Sequence, residues 1–406
     1  MKKVSALLII SCFIILFACK QNNQPAIAAA STISQIDSVP GSCPYLTKDQ
    51  HGNTVLSWVR EINDSSAVFC YAVSTDGGNT FGHPIIIPSS TNVHPHSENI
   101  PKVLFKPSGE IIAAWGSSNP SPKNKYAGMV YYAHSLDGGK SWSAAKPLVN
   151  DTAGFDQRYF DMALLPGGEA AITWLDNRKV STKEGSALYF ATTNGRGGFQ
   201  GERRIQQQCC QCCRTDLFID KNQNIHILYR GIIHDTIRDM VHTVSTDGGK
   251  TFTTPQRIND DNWVLNACPH TGPAMAENNQ GLHFTWYTGG SRKGSYYKRS
   301  INNGQSFEGY DSISVKGSHP QLTSLHNGEL VIAWDETLAA DGRLRSRIGL
   351  QRRDQYGKRI ANHYLAEDTA RVTYPVLAET KNKALIIAFC QQKAGKNYVV
   401  YQQSGL

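Results

Sequence analysis

The chain has 406 residues, of which 40% are hydrophobic and 18% are charged. Its formal net charge is +8, but Lys and Arg are scattered among Asp and Glu rather than grouped in a block. Nucleic-acid binding normally leaves a clustered basic surface, so we expect no nucleic-acid partner. Excluding an apolar leader leaves about 385 residues, which usually suggests two or three domains but also suits one large repeat domain.

The start of the chain has the pattern of an export leader. Lys2 and Lys3 precede a mostly apolar run from Val4 to Ala18. A run of about 15 residues is too short for a membrane-spanning helix, and the charged start is typical of a signal sequence. The phrase Leu16-Phe17-Ala18-Cys19 resembles a bacterial lipobox, which implies cleavage before Cys19 and attachment of lipid to its sulfur. An ordinary secretory signal followed by a chance cysteine is the alternative.

The segment after Cys19 has the composition of a tether. Residues 20 to 32 are mainly Gln, Asn, Ala and Ser, which is typical of disorder. We therefore divide the chain into a lipoprotein signal peptide at 1–18, a lipidated flexible tether at 19–32 and one folded domain at 33–406. The predicted location is the bacterial cell envelope, at the outer membrane, with the lipid bilayer as a partner. No acidic run follows Cys19, which favours the periplasmic side, and the leaflet is left open.

A short phrase recurs along the folded part. Three near-complete copies begin at Ser74, Ser135 and Ser245, and a degenerate copy begins at Ser300. Each near-complete copy contains Asp-Gly-Gly, which predicts a tight turn, because the acid bonds back to nearby amides and glycine accepts positive φ. Self-similarity with a period of about 50 residues predicts a solenoid, a propeller or an array.

The phrase resembles the Asp-box of the sialidase-like (BNR-repeat) β-propellers, S-x-D-x-G-x-T-[FW]. In that family the box is structural and lies away from the catalytic face. The resemblance therefore implies that the box residues fasten hairpins and do not touch a ligand: Asp76, Asp137, Asp247 and Asn302.

A second repeat counts the blades. Seven apolar strands end in a residue that is usually small or polar, followed by an aromatic: Ser57-Trp58, Ala114-Trp115, Thr173-Trp174, Leu228-Tyr229, Thr285-Trp286, Ala333-Trp334 and Ala388-Phe389. Leu228 is the exception to the small-or-polar rule. Each unit is predicted to contain strand A, a turn, strand B with its aromatic end, a loop, strand C, a turn that carries the Asp-box where one is present, and strand D.

The end of the chain lacks one strand of the last unit. The sequence stops shortly after the seventh strand C, Tyr398 to Gln402, while Ile33 to Val39 stands unused before the first strand A. Pairing these segments closes the ring and removes exposed sheet edges. We predict an all-β, seven-bladed β-propeller of four-stranded antiparallel blades, closed by an N-terminal strand. The six blades of true sialidases are the alternative.

Charged and polar residues are predicted to meet at one mouth of the channel. In propellers, the loops that enter strand A and the loops that leave strand B gather there. The candidate ligand-binding residues are Arg214, Arg230, Arg371, Asp176, Arg178, Asp335, Glu336, His270 and Tyr374. His94, His96 and Arg158 map to the same loops. Convergent polar groups are typical of a ligand site, so we interpret the chain as a monomer that recognises a polar or anionic ligand, with a glycan as the candidate.

An exo-glycosidase of the sialidase type is the first alternative function. Sialidases hold a carboxylate with three arginines, the first in an Arg-Ile-Pro phrase, and the nearest match here is Asn99-Ile100-Pro101. The first arginine is therefore absent, although Arg214, Arg230 and Arg371 could form a cluster. Tyr374 and Glu379 could supply the Tyr-Glu pair, but a retaining glycosidase needs its two reactive groups within about 5.5 Å. Whether the protein is an enzyme stays open.

A cysteine cluster supports the second alternative, a metal-binding or redox protein. Cys209, Cys210, Cys212 and Cys213 open the fourth strand A, and Cys268 has the equivalent place in the next blade. Eight cysteines remain besides Cys19 after the leader, an even number that suits disulfides in an oxidising envelope. Overlapping Cys-x-x-Cys pairs, with nearby histidines, also suit Cu(I) or Zn, or a redox dithiol. Adjacent cysteines on a strand point to opposite faces, so one metal with four such ligands requires a loop.

Overall fold

The computed structural model describes residues 32–122, 124–150, 153–178, 185–340, 343–365 and 371–404. The predicted signal peptide, Cys19 and all but the last residue of the tether lie outside these ranges. Within the ranges, the strands form seven antiparallel sheets of four strands each. The A strands of neighbouring sheets contact each other around the whole ring, which makes the fold a seven-bladed β-propeller.

The blades follow each other in chain order. Blades 1 and 2 contain β2 (Gly41–Lys48), β3 (Thr54–Asn63), β4 (Ser66–Ser74), β5 (Ile85–Ile86), β6 (Lys102–Phe105), β7 (Ile111–Ser118), β8 (Gly128–Ser135) and β9 (Lys146–Pro147). Blades 3 and 4 contain β10 (Gln157–Leu164), β11 (Ala170–Asp176), β12 (Ser186–Thr193), β13 (Phe199–Cys209), β14 (Asp216–Ile219), β15 (Ile225–Arg230), β16 (Met240–Ser245) and β17 (Gln256–Arg257).

Blades 5 and 6 contain β18 (Ala274–Asn278), β19 (Gly281–Thr288), β20 (Gly294–Ser300), β21 (Glu308–Ser314), β22 (Gly317–Ser324), β23 (Leu330–Ala340), β24 (Arg343–Arg353) and β25 (Arg359–Leu365). Blade 7 contains β26 (Arg371–Glu379), β27 (Leu385–Lys393), β28 (Lys396–Ser404) and β1 (Ser34–Gln35). A short 3₁₀ turn, Pro88–Ser90, follows β5.

The ring closes as the sequence predicted. β1 pairs antiparallel with β28, with Ser34 opposite Tyr401 and Gln35 opposite Val400. The ladder is shorter than the predicted segment, because only two residues of it form a strand. The prediction of seven blades is confirmed, and the six-bladed alternative is wrong.

The aromatic ends of the B strands fill the space between blades. All seven are at most 2% exposed, including Trp58, Tyr229 and Phe389. They lie in clusters that join two neighbouring blades, as Trp58 does with Ile386 and Tyr401 of blade 7. Truncating such a buried aromatic to alanine typically costs about 3–5 kcal/mol, so the second repeat marks the core of the fold.

The Asp-box is a closed hydrogen-bond unit. In blade 4, Ser245 Oγ donates to Asp247 Oδ1 at 2.7 Å and accepts the N–H of Gly249 at 2.8 Å. Thr251 donates its N–H to Asp247 Oδ1 and its hydroxyl to Asp247 Oδ2, at 2.9 and 2.6 Å. In the degenerate box, Asn302 Oδ1 still accepts from Ser306 N–H at 2.9 Å, while its amide nitrogen donates to Ser306 Oγ at 2.8 Å.

The second glycine of the box has a role that the sequence did not indicate. A Cβ on Gly249 would lie 2.7 Å from Cε1 of Phe190, in strand C of the preceding blade. Gly139 packs in the same way on Tyr71. Gly357, in a turn without a box, packs on Tyr297. This glycine therefore lets one blade approach the next, in addition to accepting positive φ.

The two ends of the ring differ in character. Because all four strands of a blade are antiparallel, the A–B and C–D turns share one end, which we call the Asp-box end. The loops entering strand A and leaving strand B share the other end, which we call the mouth. Among the described residues, the structure has no helix with the length and apolar character needed to cross a membrane.

Candidate functional site

Four of the A strands carry the same distortion near their first residues, at the mouth. Cys43, Tyr159, His319 and Tyr374 have positive φ, from 49° to 58°, and the strand register shifts next to each of them. A bulge of this kind re-aims a side chain, and left-handed backbone at a bulky residue is sparsely populated. These four side chains line cavities at the mouth.

Arg214 closes the centre of the mouth and does not face an open site. Its Nη1 donates to Glu98 Oε1 at 2.6 Å. Its Nη2 donates to the carbonyls of Pro273 and Pro320 at 3.2 and 2.9 Å. The second Glu98 oxygen accepts the N–H of Gly272 at 2.6 Å. This contact, which we call the central ion pair, joins four blades at the mouth. The charges of both side chains are matched within the protein.

Arg230 is also bound internally. It is 1% exposed, and its Nη1 donates to the carbonyl of Arg238 at 2.9 Å. Its Nη2 donates to the carbonyls of Thr271 and Tyr287 at 3.1 and 2.9 Å. The guanidinium lies over the Trp263 ring at 4.9 Å. Arg230 therefore fastens blade 4 to blade 5.

Three further predicted site residues take part in local ion pairs. Arg178 donates its Nε to Asp176 Oδ2 at 2.7 Å and its backbone N–H to Asp176 Oδ1 at 2.8 Å. Glu336 pairs with Arg347 at 2.7 Å. Asp176 and Glu336 are buried, so their charges are matched within single blades.

His319, Asp335 and Tyr374 join blades 6 and 7. His319 Nδ1 lies 2.9 Å from Asp335 Oδ2, which also accepts the N–H of Tyr374 at 2.7 Å. The two rings are 4.1 Å apart between centroids. Burial alone would lower the pKa of His319, but Asp335 and Glu98 outweigh burial and raise this pKa above its ordinary value. The two carboxylates therefore favour the protonated form of His319.

The structure does not bring together a sialidase-like constellation from the predicted residues. Arg371 is exposed at the start of β26, apart from the internal contacts of Arg214 and Arg230. Tyr374 and Glu379 are five positions apart on β26, which is about 16 Å at the usual strand rise. A retaining glycosidase needs about 5.5 Å between its reactive groups, so this pair does not fit.

A second cavity, of about 210 Å³, lies beside the central ion pair in the channel. Lys102 forms an ion pair with Asp161, whose Oδ2 accepts the N–H of Leu217 at 2.9 Å. Asp216 Oδ2 accepts the N–H of Met275 at 2.5 Å. Burial, and then the nearby Asp161, raise the pKa of Asp216 to about 7. Each carboxylate bonds an amide of the next blade, so both fasten neighbouring A strands.

A larger open cavity at the mouth lies off the axis. This space, which we call the mouth cavity, has a volume of about 500 Å³ and is built from loops of blades 2 to 5. It is lined by three imidazoles, those of His94, His96 and His270, and by the Asp156–Arg158 pair. Of the residues predicted as ligand-binding, His270 lines it, as do Cys212 and Cys268 of the predicted cysteine cluster.

The charged groups of the mouth cavity are partly matched. Arg158 donates its Nε and Nη2 to the two oxygens of Asp156 at 2.6 and 2.8 Å, and its guanidinium lies 5.3 Å from the Tyr159 ring centroid. Burial, followed by His270 and Arg158, lowers the pKa of His96 to about 4. His96 is therefore neutral at pH 7 and presents hydrogen-bonding nitrogen rather than charge.

Sequence reasoning missed several residues that line this cavity. Asn124 and Tyr126 come from the B–C loop of blade 2, Asn177 comes from the B–C loop of blade 3, and Gln211 lies between the paired cysteines. Tyr126 is 83% exposed. The available signal was a tyrosine in an otherwise polar loop after strand B. The sequence-based candidates were chosen mainly for their charge, so this tyrosine was not among them.

The cysteine cluster separates into two parts. Cys209 ends β13, whereas Cys210, Cys212 and Cys213 lie in the following turn, which we call the cysteine loop (residues 210–213). Cys210 Sγ is 3.6 Å from Cys212 Sγ and 4.0 Å from Cys213 Sγ. The cysteines of the described ranges are free thiols, and Cys268 is exposed.

Known proteins share the repeat and the fold of this chain. A family model for a BNR repeat-like domain matches residues 67–387, which is most of the ring. The chain belongs to the BNR repeat-like domain family. The comparison with curated proteins found no match.

This BNR-repeat propeller is similar in fold to several solved structures. A protein of unknown function from Dyadobacter fermentans has 12% identity and a TM-score of 0.53, with 94% of this chain and 98% of that chain covered. A sialidase from Streptococcus pneumoniae has 12% identity and a TM-score of 0.51, with coverages of 92% and 70%. An α-L-arabinanase from Penicillium chrysogenum, complexed with arabinobiose, has 14% identity and a TM-score of 0.52, with coverages of 80% and 99%. At these identities the likeness shows the fold alone.

Proposed function

We propose that this BNR-repeat propeller binds a carbohydrate in the mouth cavity. The observation that carries the proposal is the cavity itself: about 500 Å³, open at the mouth, and lined by donors and acceptors of several kinds. This volume is within the usual range for small-ligand sites. The sialidase and the arabinanase with the same fold make a glycan-related ligand the first to test, as an analogy of fold only.

The lining suits a neutral or weakly acidic sugar. Asn124, Asn177 and Gln211 offer amides that both donate and accept, as sugar hydroxyls require. The exposed ring of Tyr126 offers an apolar face with a polar tip. Arg158 can contact an acidic group, but Asp156 already matches much of its charge, so a multiply charged ligand is disfavoured.

Binding is tested with the full chain on a glycan array, followed by calorimetry on any sugar that binds. Arg158→Ala and Tyr126→Ala are each expected to weaken binding about tenfold or more, which corresponds to about 1.4 kcal/mol. Arg371→Ala is the matched control, because Arg371 is an exposed arginine outside the cavity. Unchanged affinity in the Arg158→Ala variant would show that the ligand binds outside the mouth cavity. Equal losses of affinity in Arg158→Ala and Arg371→Ala would show the same.

Glycoside hydrolysis is measured on the same preparation. The Arg-Ile-Pro arginine is absent, and Tyr374 is too far along β26 from Glu379 to act with it. We therefore expect no release of a fluorescent aglycone from sialosides. If the wild-type protein hydrolyses such a substrate and Arg158→Ala does not, the proposed function of the cavity changes from binding to catalysis.

We also propose that the mature chain is anchored in the bacterial envelope by lipid on Cys19. The support is the lipobox-like phrase after a short apolar run. Metabolic labelling with an alkyne fatty acid should mark the wild-type protein and not Cys19→Ala. Labelling of both proteins, or of neither, would contradict the anchor.

A further inference from the structure

We infer that Cys210, Cys212 and Cys213 form a three-sulfur site for Cu(I) at the wall of the mouth cavity. Their three sulfur atoms lie within 4.8 Å of one another, and within the described ranges they are the one group of three or more metal-ligating side chains with this spacing. All three residues are at most 3% exposed. The inference does not depend on carbohydrate binding.

The sulfur spacing suits bonds to a shared metal ion. With metal–sulfur bonds of about 2.3 Å, two sulfurs on one tetrahedral or trigonal centre lie about 3.8–4.0 Å apart. The observed separations from Cys210 Sγ are 3.6 and 4.0 Å. A disulfide requires about 2.05 Å, so forming one would move these atoms well out of their present positions.

The turn after β13 explains why near-adjacent cysteines converge. On a strand, Cys209 and Cys210 would point to opposite faces, and Cys209 does leave the group, with its Sγ directed to the carbonyl of Gln207 at 3.7 Å. The chain then turns, and the N–H of Cys210 donates to the carbonyl of Arg230 at 2.8 Å. A fixed loop thus presents three thiols inward without the alternation of a strand.

The ligand set and the local charge favour a soft monovalent ion. Thiolates select Cu(I), Zn or iron–sulfur clusters, while structural zinc normally takes four protein ligands. No histidine or carboxylate atom of the described residues joins the group within 4.8 Å of all its sulfurs. Arg230 donates hydrogen bonds to three neutral carbonyls and to no carboxylate among these contacts, so its positive charge lies close to Cys210 and offsets an anionic thiolate centre.

The site has a route for the ion. Cys212 lines the mouth cavity, together with His94, His96 and His270, whereas Cys210 and Cys213 lie behind it. Cu(I) can therefore approach through the cavity and reach Cys212 first. Exchange with a chelator should follow the same route, and a bulky group on Cys212 should block loading.

Loading is tested on the full chain, reduced and desalted without oxygen, and titrated with Cu(I) against a chromogenic Cu(I) chelator. We expect one Cu(I) per chain, and at least a hundredfold weaker binding in Cys210→Ser, Cys212→Ser and Cys213→Ser. Cys209→Ser is the matched control, because this neighbouring thiol points away from the group. X-ray absorption of the loaded wild-type protein should show three sulfur scatterers, a readout that needs no variant.

Several results would overturn the site. They are the absence of retained Cu(I) in the reduced protein, a Cys209→Ser variant as impaired as Cys212→Ser, and a disulfide within residues 210–213 in alkylated protein isolated without reductant. Tighter retention of Zn(II) than of Cu(I), with a fourth ligand in the absorption spectrum, would reject copper. A glycan screen that finds no ligand would not change the interpretation of any of these copper-binding results.

Discussion

The centre and the rim of the mouth each carry an arginine beside a carboxylate. The two arginines differ in how many blades they contact. Arg214 contacts Glu98 and two carbonyls from other blades, and it is 6% exposed. Arg158 pairs with Asp156, two positions away in its own blade, and lines an open cavity. The first arginine holds blades together, and the second is available to a ligand. Position at a propeller mouth alone therefore does not indicate which function a charge has.

The largest expected effect comes from breaking the central ion pair. Arg214→Ala should lower the free energy of unfolding by about 3–5 kcal/mol, because Glu98 is left buried without its ionic partner. Urea denaturation measures the change. Arg158→Ala should cost about 1 kcal/mol or less, as expected for a partly exposed pair. Equal losses in the two variants would erase the distinction between centre and rim.

The next effect concerns the packing of one blade on another. Gly249→Ala should cost about 2–4 kcal/mol, because the new Cβ meets Phe190 and the backbone has φ +83°. Gly248→Ala has φ +73° but open space, and should cost about 1 kcal/mol. Thermal melting of the two variants separates close packing from backbone strain. Equal shifts in melting temperature would remove the packing role.

The His319–Asp335 contact should make stability depend on pH. Because the folded pKa of His319 is raised, its contribution is complete below the ordinary value of about 6.5 and is lost as pH rises through the raised value. His319→Gln should cost about 1–3 kcal/mol at pH 6 and less at pH 9. Urea midpoints for both proteins across this range give the test. Parallel profiles would mean that the histidine does not titrate between these limits.

The smallest expected effect lies at the Asp-box end. Hydrogen bonds from Thr80 lower the pKa of Asp76 to about 2, so its contribution is present above about pH 4 and is lost as pH falls towards 2. Asn302→Asp should change stability at pH 7 by less than about 0.5 kcal/mol. It should add this same acid sensitivity to blade 5. Acid unfolding curves that coincide with wild type would contradict the equivalence of the boxes.

The fold was predictable because its signals are local and repeated. Each aromatic such as Trp58 needs only its own strand and turn to be recognised, and the leftover segment before the first blade indicated closure. The partners at the mouth were not predictable in this way. Glu98 and Gly272 are 174 positions apart, and nothing in either local sequence indicates their contact.

The cysteine loop shows a different limit of sequence reasoning. The spacing of Cys209, Cys210, Cys212 and Cys213 left disulfide, metal and redox interpretations open, because strand alternation and a turn give opposite geometries. The position of one turn, after Cys209, decides which sulfurs meet. Tyr126 was missed for a related reason, since its importance comes only from the cavity that four blades build.

The closing strand also determines the end of the ring at which an anchor would attach. β1 runs from the Asp-box end towards the mouth, because Ser34 lies opposite Tyr401, near the end of β28, and Gln35 lies opposite Val400. The chain therefore enters the ring from the Asp-box end. On a lipid at Cys19, about fifteen residues earlier, the reach is at most about 50 Å. A lipid at Cys19 would therefore attach on the side of the hairpins, opposite the mouth and its cavities.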